Sequence, residues 1–228
     1  MGQWFTGQVI EAARLSERLL RLSVDVPHEV VSSFNTPGQY HHVRGDSGSA
    51  SRLVAVGSAP GEGRFEYFIR LTEPVDELGA SLGGSEVQLT RLEGPGFPIN
   101  LARGRPLVMV ATGTGFAPTR SVLEVIAANR RNYGPVSVLV GLHSEAELPR
   151  ADELDRWRRS DLSVTHVVSR PSATWKGLTG RVQQHLSALK LDDAIAFLCG
   201  QSAMIDDVTR AFAIAGLPPE RVSLNIPS

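Results

Sequence analysis

A strand, a glycine-rich turn and the start of a helix follow one another between residues 105 and 124, and this order suits phosphate binding. Leu107 to Ala111 is a short apolar run rich in valine, which predicts a buried strand. Gly113-Thr114-Gly115 interrupts it, and Pro118 falls in the first turn of the next helix, where proline is tolerated. Free N–H groups and the positive helix end attract anions, and glycines let a diphosphate approach the backbone. We therefore expect a phosphate site; a tight turn without a ligand is the alternative.

Other phosphate loops and reactive sites find little support in the sequence. A Walker A loop ends in Gly-Lys-Ser/Thr, which does not follow Gly115, and a standard Rossmann fingerprint has glycine or alanine where Pro118 stands. His41 and His42 would point to opposite faces of a strand, which is unfavourable for one metal ion. With a single cysteine, the chain cannot hold an iron–sulfur centre of its own. We expect no metal site.

Composition and charge restrict the class of protein. The chain has 228 residues, of which 42% are hydrophobic, so it can bury a sizeable core in one or two domains. A net charge of -1 implies no basic face, so neither nucleic acid nor a membrane is expected as a partner. One cysteine fits a reducing compartment. The sequence has neither a signal peptide nor a run near the ~20 apolar residues of a membrane helix, so we expect a cytoplasmic protein.

The first 100 residues have the pattern of a β domain. Six short segments rich in β-formers are separated by turns that contain proline or glycine. This spacing predicts a six-stranded, closed antiparallel barrel. The predicted strands cover residues 4–10, 19–26, 39–44, 53–56, 64–71 and 86–92, and one short helix is predicted at 75–82.

The remaining residues alternate between strands and helices, which predicts a Rossmann-like parallel sheet covered on both faces. The predicted strands are 107–111, 136–142, 163–168, 194–199 and 222–226, and the predicted helices are 119–131, 151–160, 179–189 and 203–215. The boundary falls in the Gly- and Pro-rich stretch 94–105, so we expect domains at 1–100 and 101–228. The charged face of the helix at 151–160, which includes Asp152, Glu153, Asp155, Arg156, Arg158 and Arg159, is expected to be solvated.

Ligands of parallel sheets bind beyond the carboxyl ends of the strands, so the residues that follow each strand are the informative ones. These residues are Thr112 to Gly115, His143, Ser169-Arg170 and Cys199-Gly200.

Four segments give the chain a resemblance to the ferredoxin–NADP reductase superfamily, most of all to its small stand-alone oxidoreductases or the related electron-transfer subunits. The most specific is GTGFAPTRS at 113–121, which resembles the family's GTGxAPxRS loop. The others are FNTPGQY at 34–40, GLTGRVQQHL at 177–186, and Cys199-Gly200 followed by Met204 and Val208. The resemblance covers nearly the whole chain, and it implies a flavin-binding barrel at 1–100 followed by a NAD(P)-binding α/β domain at 101–228.

The resemblance also implies roles at the nucleotide end. Gly113, Thr114, Gly115 and Pro118 are expected to hold the pyrophosphate of the nicotinamide nucleotide. Cys199, with Gly200 and Met204 beside it, is expected to contact the reacting ring and to shape the site rather than act as a nucleophile. On pattern alone, Cys199 would be a small buried hydrophobe.

The residues after the third predicted strand of this domain bear on the choice of nucleotide. In the family this position distinguishes NADPH from NADH. The hydroxyl of Ser169 and the guanidinium of Arg170 suit a ribose 2′-phosphate, and Lys176 is a candidate second cation. This composition favours NADP, with NAD as the alternative. A solvated loop with ordinary basic residues is the competing interpretation.

The flavin segment departs from the family's Arg-x-Tyr-Ser-x-x-Ser pattern. Residues 52–58 read RLVAVGS, so Arg52 is in place to pair with a flavin phosphate and Ser58 matches the final serine. Val54 replaces the stacking aromatic, which costs about 1 kcal/mol or more, and Ala55 replaces the serine. Backbone groups of Val54, Ala55 and Val56 remain able to bond the ring edge. The next phosphate contact is expected at a helix start that includes Val75 and Asp76, beside further carboxylates.

These observations together predict a flavin-dependent oxidoreductase. It would pass hydride from NAD(P)H to FAD and electrons to an unidentified acceptor, for which a ferredoxin-like or other redox protein is a candidate. Two alternatives remain open. One is a regulatory or scaffold subunit that keeps the fold without flavin, which the changes at Val54, Ala55 and Asp76 favour. The other is an electron-transfer subunit of a larger complex.

Overall fold

The first of two sheets is an antiparallel sheet of six strands. A computed structural model of the chain describes residues 3–45, 50–71 and 86–225. The strands are β1 (Phe5–Ser16), β2 (Leu19–Asp25), β3 (Tyr40–Arg44), β4 (Arg52–Ala55), β5 (Arg64–Arg70) and β6 (Glu86–Leu89), and they lie in the order β4-β3-β6-β1-β2-β5. The short helix α1 (His28–Val31) follows β2. The helix predicted at 75–82 lies outside the described residues.

The two edges of this sheet approach each other, so it curls into a nearly closed barrel. Just beyond β4, the Gly57 N–H donates to the carbonyl of Glu66 in β5 at 2.7 Å. At the other end of the same edge, Arg52 Nη1 donates to the Arg70 carbonyl at 2.6 Å. Closure removes the exposed strand edges that would otherwise pair with other chains. The predicted antiparallel barrel is confirmed.

Among the residues that the structure describes, those in the barrel interior are apolar apart from a histidine network. Side chains that alternate along the strands fill it: Leu22, Val24, Val43, Val54, Phe65, Tyr67, Val87 and Leu89. His41 is fully buried among them, with Nδ1 2.8 Å from the Thr90 carbonyl oxygen and Nε2 3.0 Å from the Tyr67 hydroxyl. Both ring nitrogens therefore have hydrogen-bond partners inside the barrel.

The second sheet is parallel and also has six strands. They are β7 (Leu107–Thr112), β8 (Val136–Leu142), β9 (Leu162–Val168), β10 (Leu178–Thr179), β11 (Ile195–Cys199) and β12 (Val222–Leu224), in the order β10-β9-β8-β7-β11-β12. Helices α2 (Phe116–Ala128) and α3 (Ala151–Arg159) cover one face, and α4 (Ser202–Ile214) covers the other. The predicted parallel α/β sheet is confirmed. Among the described residues, no helix combines the length and apolar composition that a membrane span needs.

One predicted helix of this half is wrong. The segment 179–189 does not form an α-helix: Leu178–Thr179 pairs with Val167 and Val168 as β10, and a 3₁₀ helix (Val182–Ala188) follows. Gly180 separates the two with φ of +92°, in the left-handed region that glycine adopts most readily. Its N–H donates to the Val168 carbonyl at 3.1 Å, which extends the pairing with β9 by one residue.

Four buried charged side chains, which we call the interdomain ion cluster, join the barrel to the parallel-sheet half. The cluster consists of Arg21 and Glu66 on the barrel, Arg120 on α2 and Glu153 on α3. Arg21 pairs with Glu66 at 2.7 Å and with Glu153 at 3.1 Å. Arg120 Nη2 lies 2.6 Å from Glu153, and its Nη1 donates to the Gly57 carbonyl at 2.6 Å. Arg21 thus joins the barrel to Glu153 of α3, and Arg120 joins Glu153 to the barrel backbone.

The prediction that the charged face of α3 is solvated holds for Asp152, Asp155, Arg158 and Arg159 but is wrong for Glu153. Glu153 is only 2% exposed. Burial acts to raise the pKa of its carboxyl, but the charges of Arg120 and Arg21 and the hydrogen bond from the Arg150 N–H outweigh it, so the pKa lies below its usual value. Helical periodicity identifies a polar face, but only a docked second domain can bury it.

We predict that Glu153→Gln lowers the free energy of unfolding by about 3 kcal/mol, because it leaves two buried guanidinium groups without their shared anion. Urea denaturation at pH 7 measures the change. Asp155→Asn, on the same helix but with a half-exposed carboxylate, is the matched control and should stay within about 0.5 kcal/mol of wild type. Equal effects of the two substitutions would contradict the role given to Glu153.

We also predict a loss of stability in mild acid that depends on His41. Burial lowers the pKa of His41 to about 4, against about 6.5 in the unfolded chain. Neutral His41 therefore makes its full contribution to the free energy of unfolding above pH 6.5. This contribution, about 3 kcal/mol in total, is lost as the pH falls toward 4. In His41→Gln the free energy of unfolding should fall less steeply over this pH range. His28→Gln, at an exposed position, should follow the wild-type curve.

Candidate functional site

A cavity of about 1100 Å³ lies between the barrel and the carboxyl ends of the parallel strands. The barrel contributes β4 together with Tyr40 and Phe68. The other wall consists of the residues that follow β7, β8, β9 and β11, among them Thr112–Gly115, His143, Ser169–Arg170 and Cys199–Gly200. The structure thus brings together the post-strand residues that the sequence singled out and sets them opposite β4.

The glycine turn after β7 leads directly into helix α2 and borders the cavity. Gly113–Gly115 forms a 3₁₀ turn, no side chain caps the start of α2, and its first turn carries no acidic residue. Gly113 has φ of +56° and open space where a Cβ would stand. Gly113, Thr114, Gly115 and Pro118 all line the cavity. The first N–H groups of a helix have no helical partners, so this end is suited to an anion such as a diphosphate.

The turn also packs against the end of β11 so closely that it requires glycine. A Cβ on Gly115 would lie 2.4 Å from the Cys199 carbonyl oxygen, and one on Gly200 would lie 2.2 Å from Thr112 Oγ1. Thr112 Oγ1 accepts a hydrogen bond from the Gln201 N–H at 3.2 Å. The ends of β7 and β11 therefore form one compact edge, with Met204 of α4 beside it in the cavity wall.

Cys199 lies at the cavity wall with its thiol nearly covered. The side chain donates from Sγ to the Asn225 carbonyl at 3.3 Å. Burial raises the pKa of the thiol to about 12, so it stays protonated at neutral pH. This environment supports a group that shapes the site, because a nucleophilic cysteine needs an accessible thiolate.

On the barrel side, Arg52, Val54 and Ala55 border the cavity, whereas Val56 and Ser58 do not. Val54 belongs to the barrel core and is 7% exposed, so it presents only an edge to the cavity. Val56 is fully buried in the barrel interior. Ser58 Oγ accepts from the Glu66 N–H at 2.9 Å, and its carbonyl accepts from Ser121 Oγ at 2.6 Å. Val75 and Asp76 lie outside the described residues.

The loop after β9 contributes two of its three expected residues. Ser169 and Arg170 line the cavity with exposed side chains, and their N–H groups donate to the carbonyls of Leu142 and His143. Lys176 is exposed farther along the loop and does not line the cavity. Arg181, which follows β10, lines it instead.

Sequence reasoning missed several cavity residues: Arg18, Arg70, Glu147, Arg181 and Asn225. Arg181 stands within the GLTGRV segment, so the motif contained a signal for it. Glu147 gave no such signal. Its carboxylate accepts from Ser16 Oγ at 2.8 Å and from the His143 N–H at 2.9 Å, and so connects the β1–β2 turn to the loop after β8. The contact with Ser16 joins residues 131 positions apart, which no local pattern reveals.

The residues around the cavity fit two nucleotide cofactors. The glycine turn admits a diphosphate, as the open space at Gly113 indicates. At the barrel end, Arg18, Arg52 and Arg70 supply guanidinium groups suited to a second phosphate-bearing ligand. The nearby apolar side chains of Val54 and Ala55 are compatible with a planar ring, although neither stacks as an aromatic would. Within the described ranges, no group of three or more potential metal ligands occurs.

Comparison with known proteins finds similarity to an oxidoreductase domain and to components of redox enzymes. A family model of the oxidoreductase NAD-binding domain matches residues 109–210. The chain is 28% identical over 223 residues to the 2-halobenzoate 1,2-dioxygenase electron transfer component of Burkholderia cepacia, covering 94% of this chain and 65% of that protein. It is 27% identical over 181 residues to sulfhydrogenase 1 subunit gamma of Pyrococcus furiosus, covering 76% and 62%. The chain thus spans slightly less than two thirds of these curated relatives.

One solved structure has the same fold as this chain over nearly the whole length of both proteins. A ferredoxin NADP⁺ reductase from Neisseria gonorrhoeae, solved with bound FAD and NADP, superposes with a TM-score of 0.80 and 20% identity, covering 98% of each chain. At this identity the likeness establishes a common fold for the barrel and the parallel sheet together.

We predict that Gly115→Ala weakens NADPH binding by about tenfold, or ~1.4 kcal/mol, because its Cβ would force the α2 start away from β11. Titration calorimetry measures the affinity. Gly63→Ala is the matched control, since a Cβ there meets nothing within 4 Å and its φ is not in the left-handed region. Unchanged affinity in a folded Gly115→Ala variant would show that the nucleotide does not use this turn.

Proposed function

We propose that the chain is an NAD(P)H-dependent flavin oxidoreductase of the ferredoxin–NADP reductase superfamily, and that it delivers electrons to a separate redox partner. The observation that carries this proposal is the single cavity shared by β4 of the barrel and the glycine turn of the parallel sheet. Two cofactors held on opposite walls of one cavity can meet with their reactive ends together. We take residues 1–100 as the flavin domain and 101–228 as the nucleotide domain.

The barrel wall is proposed to hold FAD. When bound, a flavin accepts hydride from a nicotinamide and releases electrons singly or in pairs. Arg52 would pair with its phosphates, and the backbone of Val54 and Ala55 would bond the ring edge. The fixed side chains of this wall need only position the ring and exclude water. Val56 and Ser58, whose contacts are with the barrel interior and α2, would support β4 from behind.

The opposite wall is proposed to hold the nicotinamide nucleotide. The N–H groups at Gly113, Thr114 and Gly115 would bind the diphosphate, with Pro118 beside them. Cys199, as a neutral thiol, would contact the nicotinamide and set its distance from the barrel wall, next to Gly200 and Met204. Hydride transfer requires no acid or base, which agrees with a wall that presents a protonated thiol at neutral pH.

We propose NADPH as the preferred nucleotide, with NADH as the alternative. Ser169 and Arg170 line the cavity after β9, and Arg181 approaches from the next loop. Two guanidinium groups and a hydroxyl suit the dianionic 2′-phosphate. Arg181 is a better second cation than Lys176, which is outside the cavity wall.

The electron acceptor is proposed to be a separate redox protein. The relatives named above are an electron transfer component of a dioxygenase and a subunit of a sulfhydrogenase. By analogy, this chain would serve as the reductase of a larger electron-transfer system, such as one with a ferredoxin-like carrier, in the cytoplasm. A flavin-free regulatory subunit is the second candidate, and the observation that favours it is the missing aromatic at Val54.

We predict that the purified protein carries flavin or takes it up, with a visible flavin absorbance band, and oxidises NADPH in the presence of a dye acceptor. A protein that binds NADPH but neither retains nor takes up FAD or FMN would support the regulatory subunit instead. Absorbance spectroscopy before and after incubation with each flavin, followed by dye-coupled turnover, separates the two cases.

We predict that Arg170→Ala raises KM for NADPH by about tenfold and leaves KM for NADH nearly unchanged, since a lost charge-assisted contact to phosphate costs ~1.4 kcal/mol or more. Steady-state kinetics with both nucleotides measures this. Lys176→Ala, from the same loop but outside the cavity, is the control and should change neither value. If both nucleotides lose affinity equally, Arg170 does not read the 2′-phosphate.

A further inference from the structure

A single side chain, Asn225, connects the last parallel strand to the barrel directly behind Cys199. It follows β12, and it is only 6% exposed although it is polar. Its Nδ2 donates to the Gly38 carbonyl at 2.7 Å. Gly38 belongs to the barrel half, 187 positions earlier in the chain. A buried amide that loses its hydrogen bond costs free energy, because no water is there to replace the partner. The Asn225 side chain therefore favours one relative position of the two segments it joins.

The backbone of Asn225 is attached to the strand that carries Cys199. Its N–H donates to the Leu198 carbonyl at 3.0 Å, and its own carbonyl accepts from Cys199 Sγ at 3.3 Å. One residue therefore contacts both halves of the molecule: the end of β11 through its backbone, and the turn before β3 through its side chain.

The barrel side of this contact is shaped to receive an amide. Gly38 has φ of +95°, and a Cβ there would lie 2.9 Å from Asn225 Nδ2 and 3.1 Å from the ring of Phe97. Phe97 stacks on Phe197 of β11 with ring centroids 4.7 Å apart, and its N–H donates to the Pro37 carbonyl. The turn at Pro37–Gly38 is thus held to β11 by a stacked ring pair and by the Asn225 amide.

We propose that Asn225 is a positioning residue that fixes the separation between the Cys199 wall and the barrel wall of the cavity. We call the set Asn225, Gly38, Leu198 and Cys199 the Asn225 clamp. The inference rests on the proposed function, because the separation matters for chemistry only if two cofactors react across it. Reacting atoms must come within about 3–3.5 Å, and a displacement of about 1 Å can lower a rate by about a hundredfold.

The clamp is suited to setting the separation of the two walls because it lies at Cys199, beside the place where the two cofactors are proposed to meet. The interdomain ion cluster holds the two halves together through α2 and α3, on the barrel face that carries Arg21 and Glu66. The Asn225 clamp acts at the strand end that carries Cys199. Its removal should therefore shift one wall without separating the two halves.

The test uses two variants and one matched control in the full-length protein. Asn225→Leu has a similar size and no donor, and Asn225→Asp keeps the shape but presents a carboxylate oxygen to the Gly38 carbonyl. Asn129→Asp is the control: Asn129 Nδ2 donates to the Val125 carbonyl at 3.0 Å at the exposed end of α2, away from the cavity. Should Asn225→Leu fail to fold, as judged by circular dichroism, Asn225→Asp carries the test.

The first readout is the reactivity of Cys199, which is the only cysteine of the chain and needs no cofactor to report. Ellman's reagent should label Cys199 about tenfold faster in both Asn225 variants than in wild type or Asn129→Asp, at the same pH and well below the melting temperature. Labelling at the wild-type rate in a folded Asn225 variant would overturn the proposal.

The second readout is kinetic, in the flavin-loaded protein. The rate of flavin reduction by NADPH in a stopped-flow experiment should fall by roughly tenfold to a hundredfold, with KM for NADPH changed by less than about threefold. If Asn225 only stabilised the fold, its substitution would lower the melting temperature and leave both the labelling rate and the rate of flavin reduction unchanged. If the wild-type protein takes up no flavin, the proposed function fails, and the labelling comparison still decides whether the clamp exists.

Discussion

The structure depends on the buried ion pairs between Glu153 and the arginines of two different elements. Arg21 comes from the barrel and Arg120 from α2, and both direct their guanidinium groups at the same carboxylate. Charges taken out of water are costly unless each finds a partner, so the cluster is stable only when both halves are docked. This requirement fixes how the barrel sits on the parallel sheet. Phe68 of the barrel packs edge-on against Phe116 of α2 at 5.1 Å and supplies the apolar part of the same contact.

Once the halves are docked, the cavity follows from the geometry of parallel strands. Their carboxyl ends lie at one edge of the sheet, and the barrel covers that edge. The glycines of the first turn and of the β11 end are required because the two strand ends almost touch, as the positions of Gly115 and Gly200 show. The absence of side chains thus permits close packing at Gly115 and Gly200 and leaves open space at Gly113.

The two walls of the cavity differ in how well they match the family. The wall at 113–121 has both glycines of the family's GTGxAPxRS pattern, whereas the barrel wall has Val54 and Ala55 where the family's pattern has an aromatic and a serine. The structure adds that Val54 packs into the barrel core, so the change is accommodated by the interior. Three arginines from separate segments, Arg18, Arg52 and Arg70, line the cavity at this end.

The sequence alone determined the two sheets, most element boundaries and the glycine turn, because hydrophobic period and turn chemistry are local properties. Local pattern was insufficient where distant segments meet. It predicted a solvated Glu153 that is in fact buried and a helix at 179–189 where Gly180 ends a short strand, and it did not reveal the buried hydrogen bond between Asn225 and Gly38. Each of these outcomes depends on a partner that lies far away in the chain, such as Arg21, Val168 or Gly38. Only the tertiary structure decides such contacts, because burial and hydrogen bonding are properties of the packed molecule.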